Sequence, residues 1–264
     1  MATEIRPFVI DFLSLQDDFR VVSGIINRIA SEAAERTNPL ADLGLSHVRT
    51  MAMAQGAISN FLSSASSFRD RAKTRLRTTC GTDSSEVQQF KATESAAYDG
   101  WFAYRLLYNL RNYGQHHDMP LSYIPVNAKR GSDGKFVATA NLFIDPSDIL
   151  ESDLIQKSFR QNELIKLTER LELMPMVEQY MQLHGLLFNL IVSIHWPRLA
   201  QMQQYETLLR EKTHIPAGAV PIIFEEDESG NMGQFHHFSF DEFVLLRELA
   251  GSIRKPDPDP VVSE

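Results

Sequence analysis

Residues 105–120 read RLLYNLRNYGQHHDMP. Leu107 and Leu110 sit at helical spacing. Pro120 lacks a backbone donor and disfavours helix in the residue before it, so the stretch reads as the end of a helix. Going back along the chain, Trp101, Ala97, Phe90 and Val87 keep the same period toward a start near Asp83–Ser85. One long third helix is therefore expected, ending at 116–120 and delivering Arg111, Asn112, His116 and His117 where it stops.

Two helices precede it. Leu15, Phe19, Val22, Ile26, Ile29 and Ala33 recur every three or four residues over 15–36, until Asn38-Pro39 breaks the pattern. A second run has Ser46 as its N-cap and passes through Met51, Ile58, Phe61, Leu62, Ala65 and Phe68 toward Gly81. After the third helix, LSYIPV at 121–126 and KFVATANLFI at 135–144 are β-rich runs around a turn-rich NAKRGSDG loop, which predicts an inserted β-hairpin over 121–144. Helical signals resume after Asp145-Pro146 and strengthen over 173–211. There Val177, Met181, His184, Leu187, Phe188, Ile191 and Ile194 mark a buried face, and Pro197 should kink or interrupt the element. VPIIFEED and FHHFSF around an SGNMGQ turn predict a second small hairpin, and DEFVLLRELAGSI a short helix after it.

The expected fold is mainly α. It comprises a helical bundle over 1–212 with one hairpin inserted after its third helix, a hairpin-helix appendage over 213–254 and a flexible, proline- and acid-rich tail over 255–264. Composition is that of a soluble globular protein, 43% hydrophobic and 23% charged. No apolar run is long enough to span a membrane, and MATEIRPFVIDFL lacks the basic region and apolar core of a secretory leader, so no membrane partner is expected. Cys80 stands alone, which excludes an internal disulfide and a cysteine metal cluster and suits a reducing cytoplasm.

The net charge of −8 argues against nonspecific coating of nucleic acid but permits an enzyme that grips a few phosphates. RDRAKTRLR at 69–77 reads as a solvated helix end, with a phosphate contact as the other option. Asp11, Asp17 and Asp18 read as acids favoured at a helix start. His184 and His195 read as core residues with a hydrogen-bond partner. His236 and His237 lack a third convergent ligand, so no metal site is assigned. The chain has no glycine-rich phosphate loop, nucleophile elbow or HExxH element, which argues against NTPase, serine-hydrolase and zinc-protease designs; no cofactor is expected.

The 105–120 segment carries the functional reading. An arginine keeps its charge, a histidine titrates near neutrality, and the two lie about one helical turn apart, a pairing suited to cutting a phosphodiester. His116 and His117 both satisfy the spacing. Arg105 is either a second phosphate contact or half of a salt bridge. Tyr113 could stack on a base, whereas Tyr98, Trp101, Phe102, Tyr104 and Tyr108 are mostly core. In the competing reading Arg111 pairs with Glu94, Asp99 or Glu178 inside the bundle, His116 only terminates a helix, and the chain is a noncatalytic module that binds a protein or a nucleotide.

RNYGQH resembles the R-N-x-x-x-H signature of the HEPN-family ribonucleases. The wider FAYRLLYNLRNYGQHHDMPL at 102–121 is similar to a segment that recurs in uncharacterised bacterial HEPN-like proteins. The helix order fits over 15–211, and the C-terminal 50 or so residues lie outside the resemblance. The resemblance implies a homodimer in which two such helices line one cleft and act as a metal-independent endoribonuclease on RNA. Arg111 would hold the scissile phosphate, His116 (or His117) would act as general acid or base for attack by the 2′-hydroxyl, and Asn112 would orient them. It further implies 2′,3′-cyclic phosphate and 5′-hydroxyl products and a setting in toxin activity or phage defence, where an antitoxin or regulatory protein is a partner. Some family members carry a modifiable tyrosine two residues after the histidine. Here that position is Asp118, which puts this form of regulation in doubt.

Overall fold

The computed structural model describes residues 2–35, 43–117, 119–130, 136–213, 222–226 and 232–237. The expected helix over 241–253, the tail after 255 and Asp118 lie outside them. The described helices are α1 (Ala2–Glu35), α2 (Leu43–Cys80), α3 (Ser85–Gly100), α4 (Phe102–Gly114), α5 (Ser147–Leu150), α6 (Lys157–Asn162) and α7 (Leu173–Thr213). The described strands are β1 (Leu121–Tyr123), β2 (Val126–Arg130), β3 (Phe136–Ala140), β4 (Phe143–Ile144), β5 (Leu171–Glu172), β6 (Ile222–Glu226) and β7 (Met232–His237). The fold is mainly α with small antiparallel β insertions. No described helix is long and apolar enough to cross a membrane.

The chain divides into two compact units, Met1–Ile10 with Gly185–Lys255, and Asp11–His184 with Pro256–Glu264. The division falls within α1 and α7, whereas the change in composition falls at 213. In the larger unit, α2 buries Phe61, Ala65, Phe68, Ala72 and Leu76, a stripe at helical spacing that makes one continuous apolar face. Phe12 and Phe19 of α1 meet it at ring distances of 5.6 Å to Phe68 and 6.0 Å to Phe61. Tyr180 of α7 packs edge-on against Phe61 at 6.2 Å. Truncating a ring such as Phe61, which has no exposed surface, to alanine costs about 3–5 kcal/mol. In the smaller unit Phe8 packs on His195 at 5.4 Å.

α2 ends at Cys80 and is followed by Gly81, whose φ of +99° places it in the left-handed region and whose N–H reaches back to the Arg77 carbonyl at 3.1 Å. Ser84 then caps α3, its hydroxyl accepting from the Val87 amide at 3.3 Å. The single third helix expected from the periodicity is two helices: Trp101, at φ −114° and ψ 115°, is extended and separates α3 from α4. Gly100 precedes the break, where its backbone entropy disfavours helix by about 0.5–1 kcal/mol relative to alanine. Arg105 takes up the carbonyls released there, donating from Nη1 to Tyr98 O at 2.5 Å and Asp99 O at 2.8 Å.

The inserted hairpin pairs β2 with β3 from Val126↔Ala140 to Arg130↔Phe136, so Asn127–Arg130 is strand rather than loop. At its base β1 pairs with β4 and β4 with β5, a third strand that the sequence reading did not anticipate. α1 begins at Ala2, well before residue 15, and α7 runs unbroken through Pro197. The expected C-terminal hairpin is present as β6 and β7, with Ile222 opposite His237.

Candidate functional site

α4 is anchored by what it buries: Leu106, Leu107 and Leu110, and the fully enclosed polar residue Asn109. Asn109 Nδ2 donates to the Arg105 carbonyl at 2.8 Å, and its Oδ1 accepts from the Gln156 amide at 2.8 Å, tying α4 to the start of α6. Both halves of the amide are satisfied, so burial costs little and orientation is fixed. Two residues later, in the last turn of α4, comes Arg111. A cation there is favoured by the helix macrodipole.

Arg111 is half-buried. Its Nη1 donates to Asn112 Oδ1 at 3.4 Å, a long bond, and among the described residues no group accepts from its buried Nε. No described carboxylate lies within 4.0 Å of it. Glu94 belongs to Arg69 at 3.3 Å and Lys73 at 2.6 Å, and Glu178 is exposed. The charge of Arg111 is felt by the buried Tyr180 of α7. Burial raises that phenol's pKa, Tyr104 adds to the rise, and the positive charges of Arg69 and Arg111 oppose it.

The segment after α4 is held at both ends. The amides of His116 and His117 both donate to the Tyr113 carbonyl at 3.0 Å. Met119 is buried, and its carbonyl accepts from Gln55 Nε2 of α2 at 2.9 Å. Met119 Cε lies 3.0 Å from where a Cβ on Gly114 would sit, so a side chain at 114 would push the methionine aside. Between these pins His116 and His117 are both exposed. The His117 ring lies 4.8 Å from that of Tyr113, tilted by 30°. The structure thus places Arg111, Asn112, Tyr113, His116 and His117 on one helix end, with no hydrogen bond between Arg111 and either imidazole.

The other sequence candidates have structural partners. Arg105 grips Glu163 through Nε at 2.9 and 3.0 Å and through Nη2 at 2.8 Å, besides closing the end of α3. It lines a hollow of about 290 Å³ with Tyr98, Asp99 and Phe159, but its donors are committed to the protein, and of its two readings the salt bridge is the one observed. The basic run 69–77 is a solvated helix end only in part: Arg71 and Arg77 are exposed, whereas Arg69, Lys73 and Arg75 are drawn into the fold. Arg69, 8% exposed, bonds Tyr104, Ser66 and Asp70 and lies over the Tyr108 ring at 5.4 Å; Lys73 pairs with Glu94. Arg71 reaches Asp11 at 2.9 Å, and Arg75 bonds the other oxygen of the same carboxylate.

Asp11, Asp17 and Asp18 therefore lie inside α1 rather than at its start. Asp11 clasps α2, Asp17 pairs with Arg20 and Asp18 accepts from the Ser64 hydroxyl. The sequence missed this clasp because helix pairing sets it, and it missed Asn109 and Gln55 because a polar residue among leucines gives no sign of its partner.

His184 and His195 are core residues, as expected, each with Nδ1 2.8 Å from the carbonyl four residues earlier. Among the described residues no group of three or more His, Cys, Asp or Glu is placed to hold a metal. Comparison with models of protein families, with curated proteins and with solved structures finds no match.

Proposed function

We propose that the chain is a metal-independent endoribonuclease of HEPN type, acting as a homodimer on RNA, with toxin or phage-defence activity as its setting. The observation that carries the reading is Arg111. It is a permanent cation, half-buried at the end of α4, with no described carboxylate within 4.0 Å and a buried Nε that no described group accepts from, next to two exposed imidazoles. A phosphate would supply the missing negative charge and acceptors. In the reaction the 2′-hydroxyl gives its proton to the imidazole of His116 while its oxygen bonds to phosphorus. The P–O5′ bond breaks, and O5′ takes a proton from the imidazolium of the second copy. Arg111 offsets charge on the phosphorane and Asn112 orients the guanidinium.

The test is cleavage of 5′-labelled RNA in EDTA. Parent protein is expected to leave 2′,3′-cyclic phosphate ends and to spare DNA. Arg111→Ala and His116→Ala are expected to lose about 10²–10⁴-fold in rate while still folding. Equal cleavage by the double variant refutes the assignment. A second reading, a noncatalytic helical module, draws on the hairpin β2–β3, where Val126, Phe136 and Val137 are 41%, 43% and 63% exposed. It predicts partner binding and no RNA cleavage at any concentration.

A further inference from the structure

The two adjacent histidines are not equivalent. Their amides share one acceptor, the Tyr113 carbonyl, so both are fixed to the same point at the end of α4. Their rings differ. His117 rests on Tyr113 at 4.8 Å with a 30° tilt, within the range of a true aromatic pair, whereas His116 has no side-chain partner among the described residues. Tyr113 is half-buried and so is held by the fold; His117, stacked on it, is exposed. One face of the His117 ring is backed by the tyrosine and the remainder meets solvent. A flat ring with a rigid backing costs little conformational entropy to stack upon.

We infer that His117, backed by Tyr113, is a stacking platform for one nucleobase of single-stranded RNA beside the scissile phosphate, which leaves proton transfer to His116. The inference rests on the ribonuclease reading of Arg111 and His116, and it resolves the ambiguity in spacing between the two imidazoles. It also changes the role of Tyr113: the tyrosine does not take the base itself, because His117 covers it. Every base has a π face, so such a platform tolerates any sequence. Bases locked inside a duplex cannot reach it, so it selects single strands.

The experiment uses the full chain and two probes. Binding is read by anisotropy of a labelled 2′-O-methyl oligonucleotide, whose blocked nucleophile prevents cleavage. Turnover is read on the unmodified RNA in EDTA. His117→Ala is expected to weaken binding by roughly tenfold, and His117→Phe, which keeps the flat ring, to bind within about twofold of the parent. His117→Ala should raise the RNA concentration needed for half-maximal cleavage by a similar factor, and His117→Phe should not. His116→Phe should bind normally and lose cleavage. Annealing the probe to its complement should erase the difference between parent and His117→Ala.

Parental affinity in His117→Ala overturns the platform, as does loss of saturated cleavage in His117→Phe. Either result leaves the ribonuclease reading intact so long as the parent cuts RNA. A parent that cuts no RNA overturns both.

Discussion

Acidification from about pH 7.5 to about pH 5 is expected to destabilise the Asp11–His184 unit through His184. This imidazole has no exposed surface, and its Nδ1 donates to the Tyr180 carbonyl at 2.8 Å. Burial lowers its pKa from 6.5 to about 4. The Tyr180 carbonyl opposes that shift, the charge of Arg69 reinforces it and the Ala65 carbonyl opposes it. The unfolded chain thus takes up a proton near 6.5 and the folded chain only near 4, so within that window the unfolded state binds more protons and stability rises with pH. The contribution is complete above 6.5 and is lost as pH falls toward 4.

At pH 5 the free imidazole is nearly all charged and the buried one mostly neutral, a loss of about 2 kcal/mol out of about 3 kcal/mol for the full separation. Denaturant melts followed by Trp101 fluorescence in a Trp196→Phe background read this unit directly. His184→Gln, which keeps a donor for Tyr180 but cannot charge, supplies the reference, and carboxylates that titrate in both proteins cancel. Parent and variant with the same change in stability between the two pH values would refute the reasoning.

Arg105→Ala should cost about 2–3 kcal/mol, because Glu163 loses its partner and the Tyr98 and Asp99 carbonyls lose their donor, while saturated RNA cleavage is unchanged. A fall in turnover without a fall in stability would restore Arg105 as a phosphate contact. Asn109→Ala removes both bonds that fix α4 to the start of α6 and should lower stability by about 2–3 kcal/mol in thermal melts; an unchanged midpoint would show that the bridge does not hold the helix.

The sequence shows an element where one chain segment decides it and hides it where two must meet. The stripe Phe61, Ala65 and Phe68 is written in the local period, so α2 was legible. So was the second hairpin, between two β-rich runs. The break at Trp101 was not, because Val87 through Leu110 keeps an apolar period across it, and the residue that accommodates the break, Arg105, does so by folding back on carbonyls of α3. β5 is two residues long and exists as a strand only by pairing with β4. The basic run 69–77 was legible only where it faces solvent, at Arg71 and Arg77; Asp11 and Glu94 approach the rest of it from α1 and α3. At the site, Arg111, His116 and His117 could be named from spacing. The difference between the two imidazoles could not, since it lies in which ring Tyr113 touches.

Arg111 also allows a test that separates a structural arginine from a functional one. Arg20, Arg28, Arg69, Arg71, Arg75, Arg105, Arg160 and Arg170 each have a carboxylate within 4.0 Å. Arg111 has none among the described residues, although the chain carries 34 acidic against 26 basic residues, so carboxylates are not scarce. A half-buried charge without a partner pays for desolvation with no Coulombic return inside the fold. Replacing it by an apolar chain of similar length should then be neutral or stabilising. Arg111→Met is expected to raise stability by about 1 kcal/mol, or at least not lower it, while abolishing RNA cleavage. An arginine holding the bundle together would behave in the opposite way, losing about 3–5 kcal/mol on the same change as its partner was left uncompensated. Denaturant melts and the cleavage assay on one variant decide between them: a stable, inactive Arg111→Met places the missing negative charge on a ligand, and an unstable one places it in the protein.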